Sequence, residues 1–303
     1  MIIILGPTGV GKTEAALELA VRLNGEIVSA DSRLLYRGMD IGTAKPTSEE
    51  RARVPHHLID VTDPDQTWNL AFFQRAARRA IEEIHARDRL PFLVGGTGQY
   101  IRAVLESWEI PQGEPDPGLR TVLEKWAREV GAESLHNRLA ILDPRAAERI
   151  DFRNLRRTVR ALEVILLTGR LFSEQRRAGS SDYRVLSLGL TMPRPLLYAR
   201  IDDRIDAMLA TGFLPEVQGL LDRGYSPNLP ALSAIGYPEI VAHLQGSISL
   251  EEAIRRIRRR TRQFVRRQAN WFKGQDQNIR WFEVGAEMVD EMENSIRDWL
   301  ATD

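Results

Sequence analysis

The chain has no cysteine in 303 residues. That absence excludes disulfides, thiolate zinc sites and a cysteine nucleophile. Long apolar runs are missing too, and the longest falls far short of the roughly 20 residues needed to cross a bilayer. Net charge is absent: 42 basic residues balance 42 acidic ones, so the overall balance announces no polyanionic partner. A strand signal starts right behind Met1, so no signal peptide is expected ahead of the fold. Apolar and charged fractions of 43% and 28% are ordinary for a soluble globular protein. The expectation is a cytoplasmic protein with no membrane partner.

One local absence is more telling. From Arg255 to Lys273 there is no acid, while Arg255, Arg256, Arg258, Arg259, Arg260, Arg262, Arg266 and Arg267 crowd the segment. Glu251 and Glu252 can answer only the first of them. Apolar residues Ile254, Ile257, Phe264 and Val265 recur at helical spacing. A solvated helix would usually pair its arginines with acids at i±4. This one therefore reads as an unpaired basic face about 25 Å long, suited to phosphates. A second cluster, Arg153, Arg156, Arg157 and Arg160, continues thinly to Arg170, Arg176 and Arg177. Arginine rather than lysine favours bidentate contacts. Both stripes point to nucleic acid.

What is present near the start is a phosphate loop. Gly6-Pro7-Thr8-Gly9-Val10-Gly11-Lys12-Thr13 matches G-x-x-x-x-G-K-T, behind the strand signal Ile2–Leu5 and ahead of a helical stretch. The glycines let successive N–H groups and the helix N-terminus face an anion. Lys12 adds charge, and the Thr13 hydroxyl is the expected ligand for a Mg²⁺ bridging phosphates. A di- or triphosphate is the expected ligand.

Strand signals at Ile2–Leu5, Glu26–Ala30 and Leu90–Val94 alternate with helices, which implies an α/β fold with a parallel sheet flanked by helices. Ligands of such sheets sit beyond the carboxyl ends of the strands. The loop 6–13, Asp31 and Gly95-Gly96-Thr97 all fall there. Asp31 can hold Mg²⁺ through water, act as a general base, or cap its own turn. His56 and His57 have no third ligand at metal spacing and read as loop histidines. Gly95-Gly96-Thr97-Gly98 either cradles a second anion or lets the chain pass close to the phosphate loop.

Breakers Pro111, Gly113, Pro115, Pro117 and Gly118 open a different region. Helical patterns over 119–130, 134–142 and 157–168 make residues 110–183 a small all-helical insertion. A strand near 184–190 returns the chain to the sheet, so residues 1–109 and 184–303 form the P-loop core. Helices over 195–211, 214–223 and 250–272, a strand over 279–284 and an amphipathic tail helix make the C-terminal part mostly helical. No long apolar stripe is left unassigned, which favours a monomer.

Together these segments resemble the bacterial tRNA dimethylallyltransferase family, also called tRNA isopentenyl-pyrophosphate transferases. The matching elements are GPTGVGKT (6–13), ADSRLLYRGMDIGTAKP (30–46), VPHHLID (54–60), PFLVGGTGQYI (91–101), RRTVRALEVILLTGR (156–170), LYARIDDRIDAML (197–209), AIGYPEI (234–240) and TRQFVRRQANWFK (261–273). The resemblance implies a P-loop NTPase-like core. It implies transfer of a dimethylallyl group from its diphosphate to the exocyclic amine of the adenosine 3′ of the anticodon, in tRNAs reading codons that begin with U. On it, Gly6 to Thr13 hold the diphosphate, Thr13 holds Mg²⁺, and Lys12, Thr13 and Asp31 are catalytic, with Asp31 as base. Contacts with the tRNA anticodon stem-loop fall on Asp31, Ser32, Arg33, Leu34, Thr97, Arg120, Arg156, Arg157, Arg160, Arg258, Arg262, Gln263 and Arg266. The chain departs from the family pattern at Leu34, where Gln is common, at Gln99, where Leu is common, and at Ser233, where Gln or Arg is frequent. Two other readings use the same P-loop: a small-molecule or nucleoside kinase that would bind ATP, and a non-catalytic RNA-binding NTP switch.

Overall fold

A computed structural model of the chain describes residues 1–66, 68–108, 110, 116–174, 183–268, 271 and 278–302. It divides into two compact units, Met1–Val104 with Asp182–Asp303, and Leu105–Ser181.

The first unit is built on one sheet of six strands, β1 (Ile2–Leu5), β2 (Gly25–Ser29), β3 (His56–His57), β4 (Leu90–Gly95), β5 (Leu186–Thr191) and β6 (Ile279–Glu283). Their order is β3-β2-β4-β1-β5-β6, and every pairing is parallel. β1 sits centrally, with Ile3 paired to Leu93 on one side and Ser187 on the other. A parallel strand covered by helices on both faces needs apolar residues at every position. The run Ile2-Ile3-Ile4-Leu5 supplies them, and all four are buried.

The helices of this unit before the insertion are α1 (Lys12–Arg22), α2 (Ser48–Arg53), α3 (Leu70–His85) and α4 (Gly98–Leu105). Asn69 caps α3 by accepting the Phe72 N–H at 3.0 Å, and Thr47 and Glu50 close a capping box on α2. In the second unit lie α5 (Pro117–Val130), α6 (Ala132–Leu142), α7 (Pro144–Arg149) and α8 (Leu155–Thr168). The chain then returns to the first unit with α9 (Arg194–Ala210), α10 (Phe213–Asp222), α11 (Tyr237–Leu244), α12 (Leu250–Gln268) and α13 (Met288–Ala301). No helix among the described residues is long and apolar enough to cross a membrane.

The second unit has its own core, with Leu123, Leu135, Leu139, Val159 and Leu162 at its centre. Glu163 lies fully buried beside it. Arg120 grips this carboxylate with Nε at 2.8 Å and Nη2 at 3.0 Å, and Arg160 adds Nη1 at 2.6 Å. Burial alone would raise the Glu163 pKa, yet the two arginines hold it below the usual carboxylate range.

Three expectations need correction. His56 and His57 are not loop residues: they form the edge strand β3, where His57 Nε2 meets the buried Glu26 carboxylate at 2.6 Å. An apolar stripe does remain exposed, with Val122, Trp126 and Val130 four residues apart on α5. The third is the pairing of α12, three of whose arginines meet acids of α9 and α11. Arg176, Arg177, Phe272, Lys273 and the breaker segment 111–115 lie outside the described residues.

Candidate functional site

β1 ends at Leu5 and the chain turns through the loop 6–13 at the carboxyl edge of the sheet. Gly9 and Gly11 hold φ values of 85° and 102°, which glycine adopts without strain. At Gly9 space matters as well, since a Cβ would lie 2.9 Å from Ile201 Cγ1 of α9. α1 starts at Lys12, and its N-cap Gly11 offers no side-chain acceptor, so the first amides of the helix face outward for an anion.

Lys12 bends back so that Nζ donates to the Pro7 carbonyl at 2.8 Å. Burial pushes its pKa down to about 8, the Asp31 carboxylate opposes the fall, and the Arg204 guanidinium adds to it. Arg204 comes from α9. Its pKa is likewise lowered by burial, raised by Asp31 and lowered by Arg200. Among the described residues it has no hydrogen bond or ion pair. Lys12 and Arg204 thus both act electrostatically on Asp31, and among the described residues neither forms an ion pair. Such a site lacks negative charge.

Asp31 follows β2. One carboxylate oxygen accepts the Arg33 N–H at 2.8 Å, so the turn-capping role is real. The second oxygen has no hydrogen bond among the described residues, which leaves it available as a proton acceptor. The Arg33 guanidinium is tied down: Nη1 donates to Pro230 O at 3.0 Å, and Nη2 to Ser233 Oγ at 3.2 Å. The unusual Ser233 therefore anchors Arg33. Ser32, Leu34 and Thr97 are half-buried. The Thr97 carbonyl accepts from Tyr100 N at 2.9 Å, at the start of α4.

Two cavities reach these residues, one at Arg204 and one at the loop itself. One, of about 440 Å³, runs from Arg204 along Met208 and Thr211 to Asp40, Ile41 and Lys45. Its loop wall is pinned by Glu216 of α10, whose carboxylate accepts the N–H groups of Asp40, Ile41 and Gly42 at 2.8, 2.6 and 3.1 Å. The buried Tyr237 hydroxyl also donates to Glu216, at 2.7 Å. The other cavity, of about 320 Å³, is lined by Gly6, Pro7, Thr191, Arg194, Arg266 and Trp281.

The helix α12 differs from its expectation. Acids distant in sequence answer three of its eight arginines. Arg258 meets Asp206 of α9 at 2.6 Å, Arg262 meets Asp202, and Arg260 meets the buried Glu239 of α11. Arg255 and Arg256 pair with Glu252. Among the described residues Arg259, Arg266 and Arg267 form no ion pair, and with Gln263 they are exposed. Positions 259, 263 and 266 share one face at helical spacing, so the free basic surface is narrower than the arginine count implies.

Some of the expected RNA contacts are divided in the same way. Arg156 and Arg157 are exposed without an ion pair among the described residues, whereas Arg120 and Arg160 are engaged by Glu163. The residues that sequence reasoning missed are Arg204, Arg200, Glu216 and Gln268. The signal for two of them was there: Arg200 and Arg204 lie four apart, while Asp202 and Asp206 repeat the same spacing on another face of α9.

The sequence model of the IPP transferase family matches residues 34–275. A tRNA dimethylallyltransferase of Thermomicrobium roseum is 54% identical over 94% of this chain and 86% of its own length. One from Roseiflexus is 50% identical over 99% and 98%. The crystal structure of a tRNA isopentenylpyrophosphate transferase from Bacillus halodurans superposes with a TM-score of 0.74 at 44% identity, covering 99% of this chain and 96% of that one. A eukaryotic dimethylallyltransferase acting on tRNA gives 0.81 at 29% identity, covering 98% and 77%. With a phosphate loop, a half-free carboxylate and two under-paired cations at one edge of its sheet, the chain belongs to the IPP transferase family.

Proposed function

We propose that the chain transfers the dimethylallyl group of dimethylallyl diphosphate to N6 of the adenosine 3′ of the anticodon, in tRNAs reading codons that begin with U. The names of its relatives support the substrates. The observation that carries the chemistry is the loop itself, with the Lys12 ammonium folded onto the Pro7 carbonyl at 2.8 Å and the Arg200 guanidinium of α9 within 3.5 Å of where a Gly11 Cβ would lie. Lys12 and Arg204 both act electrostatically on Asp31.

Diphosphate seats on the amides of Gly6 to Thr13, with Lys12 and Arg204 neutralising charge on the departing oxygen. N6 attacks the first prenyl carbon as the carbon–oxygen bond breaks, and diphosphate leaves with the electron pair. The substituted amine loses its proton to the free oxygen of Asp31. An adenine amine is a weak nucleophile, so alignment supplies much of the rate.

The residues fit Mg²⁺ carried on the substrate. Thr13 is exposed, its hydroxyl makes no hydrogen bond among the described residues, and no three His, Asp or Glu side chains cluster there among them. An ion held by one hydroxyl and the phosphates matches that sparse donor set. When bound, Mg²⁺ adds neutralisation of the diphosphate.

Reaching N6 requires the adenosine to leave its stack. Arg259, Gln263 and Arg266 on α12, with Arg156 and Arg157 in the helical unit, support the RNA contacts. Arg258, Arg262, Arg120 and Arg160 support them indirectly, by holding the elements that carry these residues. Incubation with unmodified tRNA, Mg²⁺ and labelled dimethylallyl diphosphate tests the reading. Label should appear in the RNA at that adenosine alone. Unlabelled RNA with ATP consumed would replace the transferase with a kinase or switch.

A further inference from the structure

Gln268 is the last residue of α12 and only 4% exposed. Both ends of its side chain are committed to the phosphate site. Oε1 accepts the Thr8 N–H at 2.9 Å, and Nε2 donates to the Gly96 carbonyl at 3.0 Å. A primary amide accepts at one atom and donates at another, so this one side chain ties two backbone segments together. One is the phosphate loop. The other is the glycine-rich turn that leads into α4.

The turn is shaped to receive the helix end. A Cβ on Gly96 would lie 2.4 Å from Gln268 Nε2, and one on Gly98 would lie 2.6 Å from the Trp271 Cβ. Neither glycine has a positive φ. Their missing side chains therefore serve close approach rather than an unusual backbone. Arg102 of α4 adds a contact over the Trp271 ring, at 5.7 Å from its centre. Upstream, the free face of Arg259, Gln263 and Arg266 sits on the same rigid rod, with Arg259 about 14 Å from Gln268 along the axis.

We infer that Gln268 is a positioning residue that couples RNA binding on α12 to diphosphate binding on the loop 6–13. This rests on the proposed assignment of those two surfaces. RNA held along α12 orders the helix end, and through Gln268 it orders Thr8 and the turn at Gly96. A loop already ordered gives up less conformational freedom when diphosphate arrives, so the second ligand binds more tightly. The relation is reciprocal, because coupling between two binding sites acts equally in both directions. The Asp31 chemistry needs no contact with Gln268.

The test is titration of magnesium diphosphate into the full chain, alone and saturated with an unmodified anticodon stem-loop. In the unaltered protein the stem-loop should tighten diphosphate binding about fivefold or more. Gln268→Met keeps length and bulk without either hydrogen bond, and Gln268→Ala serves if the first variant is unstable. In the variant that folds, the tightening should fall below about twofold with the affinity for stem-loop alone nearly unchanged, while the melting temperature drops because the Thr8 N–H and Gly96 carbonyl lose their partner. Equal tightening in variant and parent would overturn the role of Gln268. So would loss of both single affinities together with thermal stability, which marks a merely structural residue. Failure of the unaltered protein to bind diphosphate or stem-loop would instead overturn the assignment beneath it.

Discussion

The Asp31 carboxylate opposes the loss of charge at Lys12, whose pKa burial has pushed down to about 8. The folded value is below the unfolded one, so holding Lys12 protonated costs stability below about pH 8, and that cost is relieved as pH rises from there towards 10.5. Binding runs the other way, because diphosphate needs the ammonium. Affinity for diphosphate should hold up to about pH 8 and then fall by up to about tenfold per pH unit. Titration across pH 7 to 10 checks this. A flat profile would remove Lys12 from the phosphate site, and Lys12→Met should show the flat profile at much weaker affinity.

Asp31→Asn preserves the cap on the Arg33 amide but removes the proton acceptor. Turnover should drop by about 10²- to 10⁴-fold, with tRNA affinity within a few-fold. Single-turnover label transfer and filter binding measure the two quantities. A rate near that of the parent would exclude Asp31 as the base.

The arginines of α12 should separate into two groups. Arg259→Gln and Arg266→Gln, which break no ion pair among the described residues, should each reduce the salt dependence of tRNA binding by a slope of about one. Arg262→Gln removes the partner of Asp202, so it should lower the melting temperature and leave the slope closer to that of the parent. Binding measured from 50 to 300 mM salt decides. Equal slope changes for all three would restore the whole helix as an RNA face.

Glu216 should matter for the loop 40–42 beyond its local contacts. Gln there loses the charge behind three N–H acceptances. Glu216→Gln should cost about 1.5–3 kcal/mol in urea unfolding. A change within experimental error would show that the loop holds without it.

In the helical unit, Glu163→Ala leaves Arg120 and Arg160 without their shared acid. The loss should reach about 3–5 kcal/mol. The normal contribution requires an ionised carboxylate, so it is present above the unfolded pKa and disappears as pH falls through the lowered folded value. Acid unfolding of parent and variant should therefore converge at low pH, and curves that stay apart would point to packing instead.

The parallel sheet could be read from the chain because β1, β2 and β4 are short apolar runs closed by glycine or polar residues, a signal carried by near neighbours. The phosphate loop was legible for the same reason. The pairing of α12 was not, because Asp202, Asp206 and Glu239 lie roughly 20 to 60 residues before the arginines they meet. Spacing rules compare residues within one helix and cannot see a neighbour brought in by the fold. Two-residue β3 has no periodicity of its own, and only its ladder with Ile27 and Val28 makes it a strand. Asp31 looked like either a cap or a base because one oxygen accepts the Arg33 N–H while the other has no hydrogen bond among the described residues.

Finally, the order of the strands has a consequence for biosynthesis. β1 is made first, yet one of its two neighbours, β5, is encoded about 180 residues later. At ribosomal speeds of roughly 5–20 residues per second, the first strand waits about 10 to 40 seconds for that edge to be covered. The helical unit draws its contacts from within 105–181 and, with such local connectivity, can fold while the sheet is still open. Nascent chains arrested once residue 181 has cleared the ribosomal tunnel should then carry a protease-resistant helical unit tethered to a sheet in which the β5 edge of Ile2–Leu5 is still open.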